Sequence, residues 1–148
     1  MHRRKLVTLI FPAVLIAACD DWSLKRVDAV RQRLVGRWLE ELSLDGAKIR
    51  SIVTLDQDGK FFELEEVLDA NGSIKQEKHA GEWFFDGINF KRKYTSLNGQ
   101  PLSNAQFGYA TYAVKSFEQD RFIGVDNVRA TEARFSRTEM RVLPPTGN

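Results

Sequence analysis

Five turn dipeptides, each Asn-Gly or Asp-Gly, divide most of the chain into segments of similar length. They follow one another at intervals of 12 to 15 residues: Asp45-Gly46, Asp58-Gly59, Asn71-Gly72, Asp86-Gly87 and Asn98-Gly99. Asn or Asp before Gly tolerates the positive φ angles that tight hairpins require. The spacing therefore predicts a meander of antiparallel strands.

Between these turns, apolar side chains tend to recur at every second position, as on one buried face of a strand. On the second expected strand, for example, Ile49, Val53 and Leu55 share a face with Ser51. Eight such strands can close on themselves and remove exposed edges. We therefore expect a mainly β fold, an up-and-down barrel. The expected strands are 37–43, 48–56, 60–68, 73–85, 88–96, 105–117, 121–126 and 128–137.

The third expected strand has an apolar face and a charged face. Phe62, Leu64 and Leu68 alternate on one side, which we expect to be buried. Glu63 and Glu65 alternate on the other side, which we interpret as solvated.

Two charged residues fall in phase with apolar neighbours. Glu66 is in phase with Phe62, and Arg92 is in phase with Ile88 and Phe90. An unpaired charge on a buried face is costly, so the two either pair with each other, lie at an open rim, or serve a ligand. In the ligand hypothesis, Arg92 meets an anionic group at the barrel mouth. The apolar walls of that tentative site would be Trp83, Phe85 and Tyr94.

The amino-terminal segment has the pattern of a signal peptide. Basic residues precede the apolar run Leu6 to Ala18, which is shorter than the roughly 20 residues of a membrane-spanning helix. The run ends in Leu15-Ile16-Ala17-Ala18-Cys19, which resembles a bacterial lipobox. The resemblance implies cleavage between Ala18 and Cys19, and a palmitate-type lipid anchor on Cys19.

Asp20, directly after that cysteine, resembles the signal that retains a lipoprotein in the inner membrane. We therefore expect a lipid-anchored, periplasm-facing protein of the bacterial cell envelope, with its inner membrane favoured as the location.

The expected domain organisation follows from these boundaries. Residues 1–18 are the signal peptide, and residues 19–35 form a lipidated tether with a short helix. The helix would begin with Ser23 as its N-cap. Residues 36–140 form the barrel domain, and residues 141–148 an extended tail.

Two short motifs resemble those of lipocalins and related calycin barrels. Gly36-Arg37-Trp38 is similar to their Gly-x-Trp signature, and residues 81–87 (GEWFFDG) are similar to a hairpin of small bacterial lipocalin-like domains. The resemblance covers residues 36 to 137. It implies that Trp38 closes one end of the barrel against an Arg of the last strand, Arg137 or Arg134.

Composition excludes several function classes. The signal segment holds three of the chain's 22 Lys and Arg residues and none of its 20 Asp and Glu residues, so the remainder is close to neutral. A general attraction to nucleic acid is not supported. Beyond the signal, His79 is the single histidine and Cys19 the single cysteine. We therefore expect no catalytic triad, no zinc or other metal site, no cofactor and no intramolecular disulfide.

The sequence thus favours a non-enzymatic, membrane-anchored binding protein for a small hydrophobic or amphipathic ligand or an envelope component. The alternative is a periplasmic protein-interaction module, such as an immunity or inhibitor lipoprotein or an accessory subunit of an envelope machine.

Overall fold

The computed structural model describes residues Ala18–Gln106 and Gly108–Leu143, with side chains from Lys25 onward. Most of the expected signal peptide and the tail beyond Leu143 lie outside these residues. Within them, no helix has the length and apolar character needed to cross a bilayer. The elements are α1 (Ala18–Leu34), β1 (Gly36–Leu44), β2 (Ala47–Leu55), β3 (Lys60–Leu68), β4 (Ile74–Phe85), β5 (Asn89–Leu97), β6 (Gln100–Pro101), a 3-10 turn (Asn104–Gln106), β7 (Gly108–Phe117), β8 (Arg121–Asp126) and β9 (Glu132–Arg137).

Eight of the strands form a closed antiparallel barrel. Each long strand pairs with the next along the chain, and β9 returns to pair with β1, with Trp38 opposite Arg137. The two-residue strand β6 only extends the β5 hairpin. The predicted fold class, a mainly β up-and-down barrel with a short helix before it, is confirmed.

Two of the hairpins show why the turn dipeptides are needed. Asp45 and Gly46 have φ angles of 49° and 82°, and Asn98 and Gly99 have φ angles of 50° and 80°. Two consecutive residues with positive φ form the turn that matches the twist of paired strands, and Asn-Gly and Asp-Gly adopt it readily. Each pair is thus a two-residue hairpin loop.

Helix α1 closes one end of the barrel. Its last residue, Leu34, is fully buried, and the Leu34 carbonyl accepts a 2.7 Å hydrogen bond from Trp38 Nε1. Arg31 lies over the Trp83 ring at 5.5 Å, and Arg33 over the Phe117 ring at 4.3 Å. We call this the closed end.

Aromatic rings fill the interior next to the closed end. Phe122 stacks on Phe135 with 4.1 Å between ring centroids, and Trp38 meets the Phe122 ring edge-on at 4.9 Å. Phe90 contacts both phenylalanines edge-on. This half of the barrel interior is a packed core. We call the other end of the barrel the open end.

The buried face of β3 was predicted wrongly. Phe61 is 3% exposed and Glu63 is 1% exposed, whereas Phe62 is 47% exposed. The pairing explains the reversal, since Glu63 lies opposite Val53 and Val53 points into the core. Phe62 and Glu66 do share a face, but it is the outer one.

Several boundaries also differ from expectation, and three of them change the interpretation of a residue. The last strand begins at Glu132 because Asp126 Oδ1 accepts hydrogen bonds from the backbone N–H groups of Val128 and Arg129, which makes a turn there. Ile88, expected on the buried face of the fifth strand, precedes β5 and is 68% exposed. Helix α1 begins at Ala18, so Ser23 lies within it and is not its N-cap.

Candidate functional site

A cavity of about 320 Å³ occupies the open end of the barrel. Its wall includes three tyrosines, Tyr94, Tyr109 and Tyr112. Charged side chains are unusually frequent around it: Glu40, Glu63, Glu65, Arg92, Asp126 and Arg129. Ligand cavities are mostly lined by apolar side chains, and the lining of this cavity is more polar than that.

Four polar side chains meet at the floor of the cavity, and we call them the buried charge cluster: Glu40, Glu63, Arg92 and Tyr112. Arg92 Nη2 lies 2.8 Å from Glu40 Oε2, and Arg92 Nη1 lies 3.2 Å from Glu63 Oε2. The Tyr112 hydroxyl donates a 2.8 Å hydrogen bond to Glu40 Oε1. The three charged side chains are 1 to 2% exposed, so the ion pairs are shielded from solvent.

Alternation on three strands that do not pair with one another, β1, β3 and β5, brings the charged side chains together inside the barrel. Glu40 follows Trp38 by two residues on β1, Glu63 follows Phe61 by two on β3, and Arg92 follows Phe90 by two on β5. The first residue of each pair belongs to the apolar core. Each charged residue therefore lies on the inner face of its strand, two residues nearer the open end than its apolar neighbour.

Aromatic rings surround the Arg92 guanidinium. Its central carbon lies 5.6 to 5.9 Å from the ring centroids of Phe61, Phe90, Tyr94 and Tyr112. Contacts of this kind stabilise a cation that has lost its water. The rings also hold the side chain away from other orientations.

The charges in the cluster do not balance if every group is ionised. Burial, together with the neighbouring Glu63, raises the pKa of Glu40 from 4.5 to about 7, despite the opposing effect of Arg92. Burial also opposes ionisation of Arg92, but Glu40 and Glu63 outweigh it and hold the pKa of Arg92 well above its ordinary value. Arg92 stays charged, while Glu40 exchanges a proton near neutral pH.

A glycine makes room for the tyrosine of the cluster. A Cβ atom at Gly124 would lie 2.8 Å from Tyr112 Cβ, which is closer than such atoms approach in real structures. Burial, followed by the negative charge of Glu40, raises the pKa of the Tyr112 phenol, so it remains a hydrogen-bond donor. Gly124 thus leaves room for the Tyr112 side chain, whose hydroxyl contacts Glu40.

Several polar atoms around the cavity floor have no hydrogen-bond partner among the described residues. They are Ser51 Oγ, Glu40 Oε2, Glu63 Oε2, and the Nε and Nη1 atoms of Arg92. Three of them, Glu40 Oε2, Glu63 Oε2 and Arg92 Nη1, nevertheless belong to the ion pairs of Arg92. All five atoms are inaccessible to solvent, so a group in the cavity could reach them only after the cluster rearranges.

Two of the five predicted ligand-binding residues line the cavity, and Trp83, Phe85 and Glu66 do not. Arg92 and Tyr94 lie in its wall. Trp83 lies near the closed end, where its Nε1 donates a 2.9 Å hydrogen bond to the Asp56 carbonyl. Phe85 packs against the core, so the expectation that Trp83 and Phe85 wall the cavity is corrected.

Glu66 is corrected as well, because it faces outward. It is 5% exposed, and it lies opposite Arg50 on β2 and opposite Gln76 on β4. Its two carboxylate oxygens accept hydrogen bonds from those side chains, at 2.6 Å and 3.0 Å. Arg92 therefore pairs with Glu40 and Glu63 and not with Glu66.

The expected contact between the first Trp and the last strand is made by Arg137. Its guanidinium carbon lies 4.0 Å from the Trp38 ring centroid. Its two terminal nitrogens donate to the carbonyls of Val35 and Arg33 at the end of α1. Arg134 points away, 74% exposed and paired with Glu132.

Sequence reasoning missed Glu40, Glu63, Tyr112 and Gly124. Glu40 could have been found, because it is in phase with Trp38, whose burial was expected. The face of Glu63 could not be predicted from β3 alone, since adjacent Phe61 and Phe62 support either face.

The expected lipidation and cleavage at Ala18 and Cys19 concern side chains outside the described set.

Comparison of the chain with protein-family models and with curated protein sequences finds no match. The fold and the cavity define the class: an eight-stranded antiparallel barrel, closed by a helix at one end, with a polar cavity at the other.

Proposed function

We propose that this protein is a lipocalin-like, lipid-anchored binding protein of the bacterial cell envelope, and that its barrel holds a small amphipathic molecule. The observation that carries the proposal is the lining of the cavity of about 320 Å³, in which the rings of Tyr94, Tyr109 and Tyr112 lie beside charged side chains. Tyrosine walls beside charged side chains suit a molecule with a polar group at one end and an apolar body.

The charge of the cavity favours a neutral or cationic polar group. Four carboxylates and two arginines lie in its wall. Arg92 is already compensated by Glu40 and Glu63, at 2.8 Å and 3.2 Å, so an anion would gain little net attraction there. In place of the expected anionic group, we therefore propose a hydroxyl, amide or amine group. The carboxylates can accept hydrogen bonds from such a group, and the tyrosine rings can contact it.

A substitution that fills the cavity would test binding. Ala110 lies opposite Arg92 and lines the cavity, while its neighbour Thr111 lies opposite Lys91 on the other face. We expect native mass spectrometry of the wild-type protein, extracted from its own membrane, to show a bound small molecule. Ala110→Phe should lose that molecule, and the matched control Thr111→Phe should keep it. A wild-type protein with no bound mass, or equal retention by both variants, would contradict the proposal.

The lipid anchor is tested separately. The lipobox-like sequence before Cys19 supports cleavage after Ala18 and attachment of acyl chains, and two or more chains give lasting membrane retention. Cys19→Ser should leave the barrel folded and move the protein from the membrane fraction to the soluble fraction. Continued sedimentation with membranes would refute the anchor, whatever the barrel binds.

The second candidate is a protein-interaction module. Tyr109 and Val128, at the cavity mouth, are 70% and 91% exposed, and such side chains favour contact with another protein. In this case a cross-linkable residue at position 128 should capture one envelope protein, and Ala110→Phe should not affect the capture.

A further inference from the structure

Three metal-ligating side chains converge on the inner face of β3 and β4. Glu65 and Glu77 are directly opposite each other across the two strands, and His79 follows Glu77 by two residues. His79 lies opposite Glu63, which belongs to the buried charge cluster, so all three point to the inside of the barrel. Their candidate ligand atoms lie within 4.8 Å of one another.

The distances in this group do not suit direct hydrogen bonds. His79 Nε2 lies 3.6 Å from Glu65 Oε1 and 3.9 Å from Glu77 Oε2, whereas hydrogen bonds from nitrogen to oxygen are about 2.7 to 3.2 Å long. His79 Nε2 is inaccessible to solvent and has no hydrogen-bond partner among the described residues. Two ligands bound to one metal at about 2.0 to 2.2 Å can be separated by up to roughly 4 Å. The two separations from His79 therefore fit side chains that share an ion.

The surroundings hold each group in place. Lys75 Nζ lies 2.8 Å from Glu77 Oε1, which leaves Glu77 Oε2 directed at His79. The His79 ring meets the Tyr94 ring edge-on, with 5.3 Å between centroids. Outer contacts of this kind orient ligands in metal sites.

The position of the two carboxylates is a second argument. Like charges directly opposite each other in an antiparallel pair are destabilising. Glu65 and Glu77 occupy such a pair on the partly shielded inner face, at 24% and 21% side-chain exposure. A divalent cation between them would convert this repulsion into attraction.

We propose that Glu65, Glu77 and His79 bind one divalent transition-metal ion of the Zn²⁺ type. One imidazole and two carboxylates suit such ions, while Mg²⁺ and Ca²⁺ prefer oxygen ligands alone. Three protein ligands leave a coordination position open. Glu65 also lines the cavity, so that position adjoins the cavity. This proposal departs from the expectation, drawn from the sequence, that the chain has no metal site, and it does not depend on the ligand proposed above.

The test uses the full chain carrying His2→Gln and Cys19→Ser, which makes His79 the only histidine and removes the only thiol. Calorimetric titration with Zn²⁺ should show one site, with no comparable binding of Mg²⁺ or Ca²⁺. In this background, His79→Gln and Glu77→Gln should each lower the Zn²⁺ affinity at least tenfold. The matched control is Glu82→Gln, which removes an exposed carboxylate of the same strand.

A second measurement needs no variant at the site. Nitrogen-15 spectra of the single histidine should show a shift of Nε2 when Zn²⁺ is added. A shift of the Nε2 signal, together with a loss of Zn²⁺ affinity in His79→Gln and Glu77→Gln but not in Glu82→Gln, supports the proposal. Absence of Zn²⁺ binding, an unchanged Nε2 signal, or equal affinity in His79→Gln overturns it.

Discussion

Arg137 stacks on Trp38 at the seam where the last strand meets the first. The two residues are opposite each other in the β1–β9 pairing, and the guanidinium carbon lies 4.0 Å from the ring centroid. The same guanidinium donates to two carbonyls at the end of α1. One side chain therefore joins the first strand, the last strand and the closing helix.

Arg137→Met should destabilise the barrel by about 2 to 4 kcal/mol, because it removes the stacked cation and leaves two carbonyls without their donor. Urea unfolding measures this loss. Arg134→Met, on the same strand and 74% exposed, is the control and should change the free energy of unfolding little. Equal losses in the two variants would show that the contact with Trp38 contributes nothing.

Arg92→Met should cost about 3 to 5 kcal/mol, because it leaves Glu40 and Glu63 buried without their cation. A triple variant that adds Glu40→Gln and Glu63→Gln should recover most of that loss, since the buried charge cluster then holds no charge. Chemical denaturation of the single and triple variants makes the comparison. If the triple variant were no more stable than Arg92→Met, unpaired charge would not be the cause.

The pH dependence of stability should reveal the proton on Glu40. Its pKa is about 7 in the folded protein and 4.5 ordinarily, so between these values the folded state holds the proton more tightly than the unfolded state. The stabilising contribution of this group is complete below pH 4.5 and is lost as the pH rises through 7. Relative to Glu40→Gln, the free energy of unfolding of the wild-type protein should therefore fall by a few kcal/mol from pH 4 to pH 8. Parallel curves for the two proteins would contradict the raised pKa.

Gly124→Ala should disturb the buried charge cluster through Tyr112. The added Cβ would lie 2.8 Å from Tyr112 Cβ, and overpacking of this kind costs about 1 to 3 kcal/mol. Thermal unfolding provides the measurement. Gly108→Ala is the control, because its Cβ would meet Tyr94 at an ordinary 3.7 Å and should be tolerated. If both alanines were equally harmless, the position of Tyr112 would not depend on Gly124.

The sequence predicted the fold well because its signals are local. Turn dipeptides such as Asp45-Gly46 and the alternation in β2 act within a few residues. The site is different, because Glu63 becomes an inner residue only through its pairing with Val53, and no pattern within β3 reveals that. Arg92 was identified as an anomaly, but its partners Glu40 and Glu63 come from distant strands that meet only in the closed barrel.

The position of helix α1 bears on the direction in which the cavity opens. The chain enters the barrel at the closed end, where Leu34 is buried beside Trp38, and the cavity opens at the far end. If Cys19 carries the proposed anchor, the entrance faces away from the bilayer surface. The ligand would then enter from the aqueous compartment and not directly from the lipid bilayer. The rate of ligand binding should therefore be insensitive to bilayer composition.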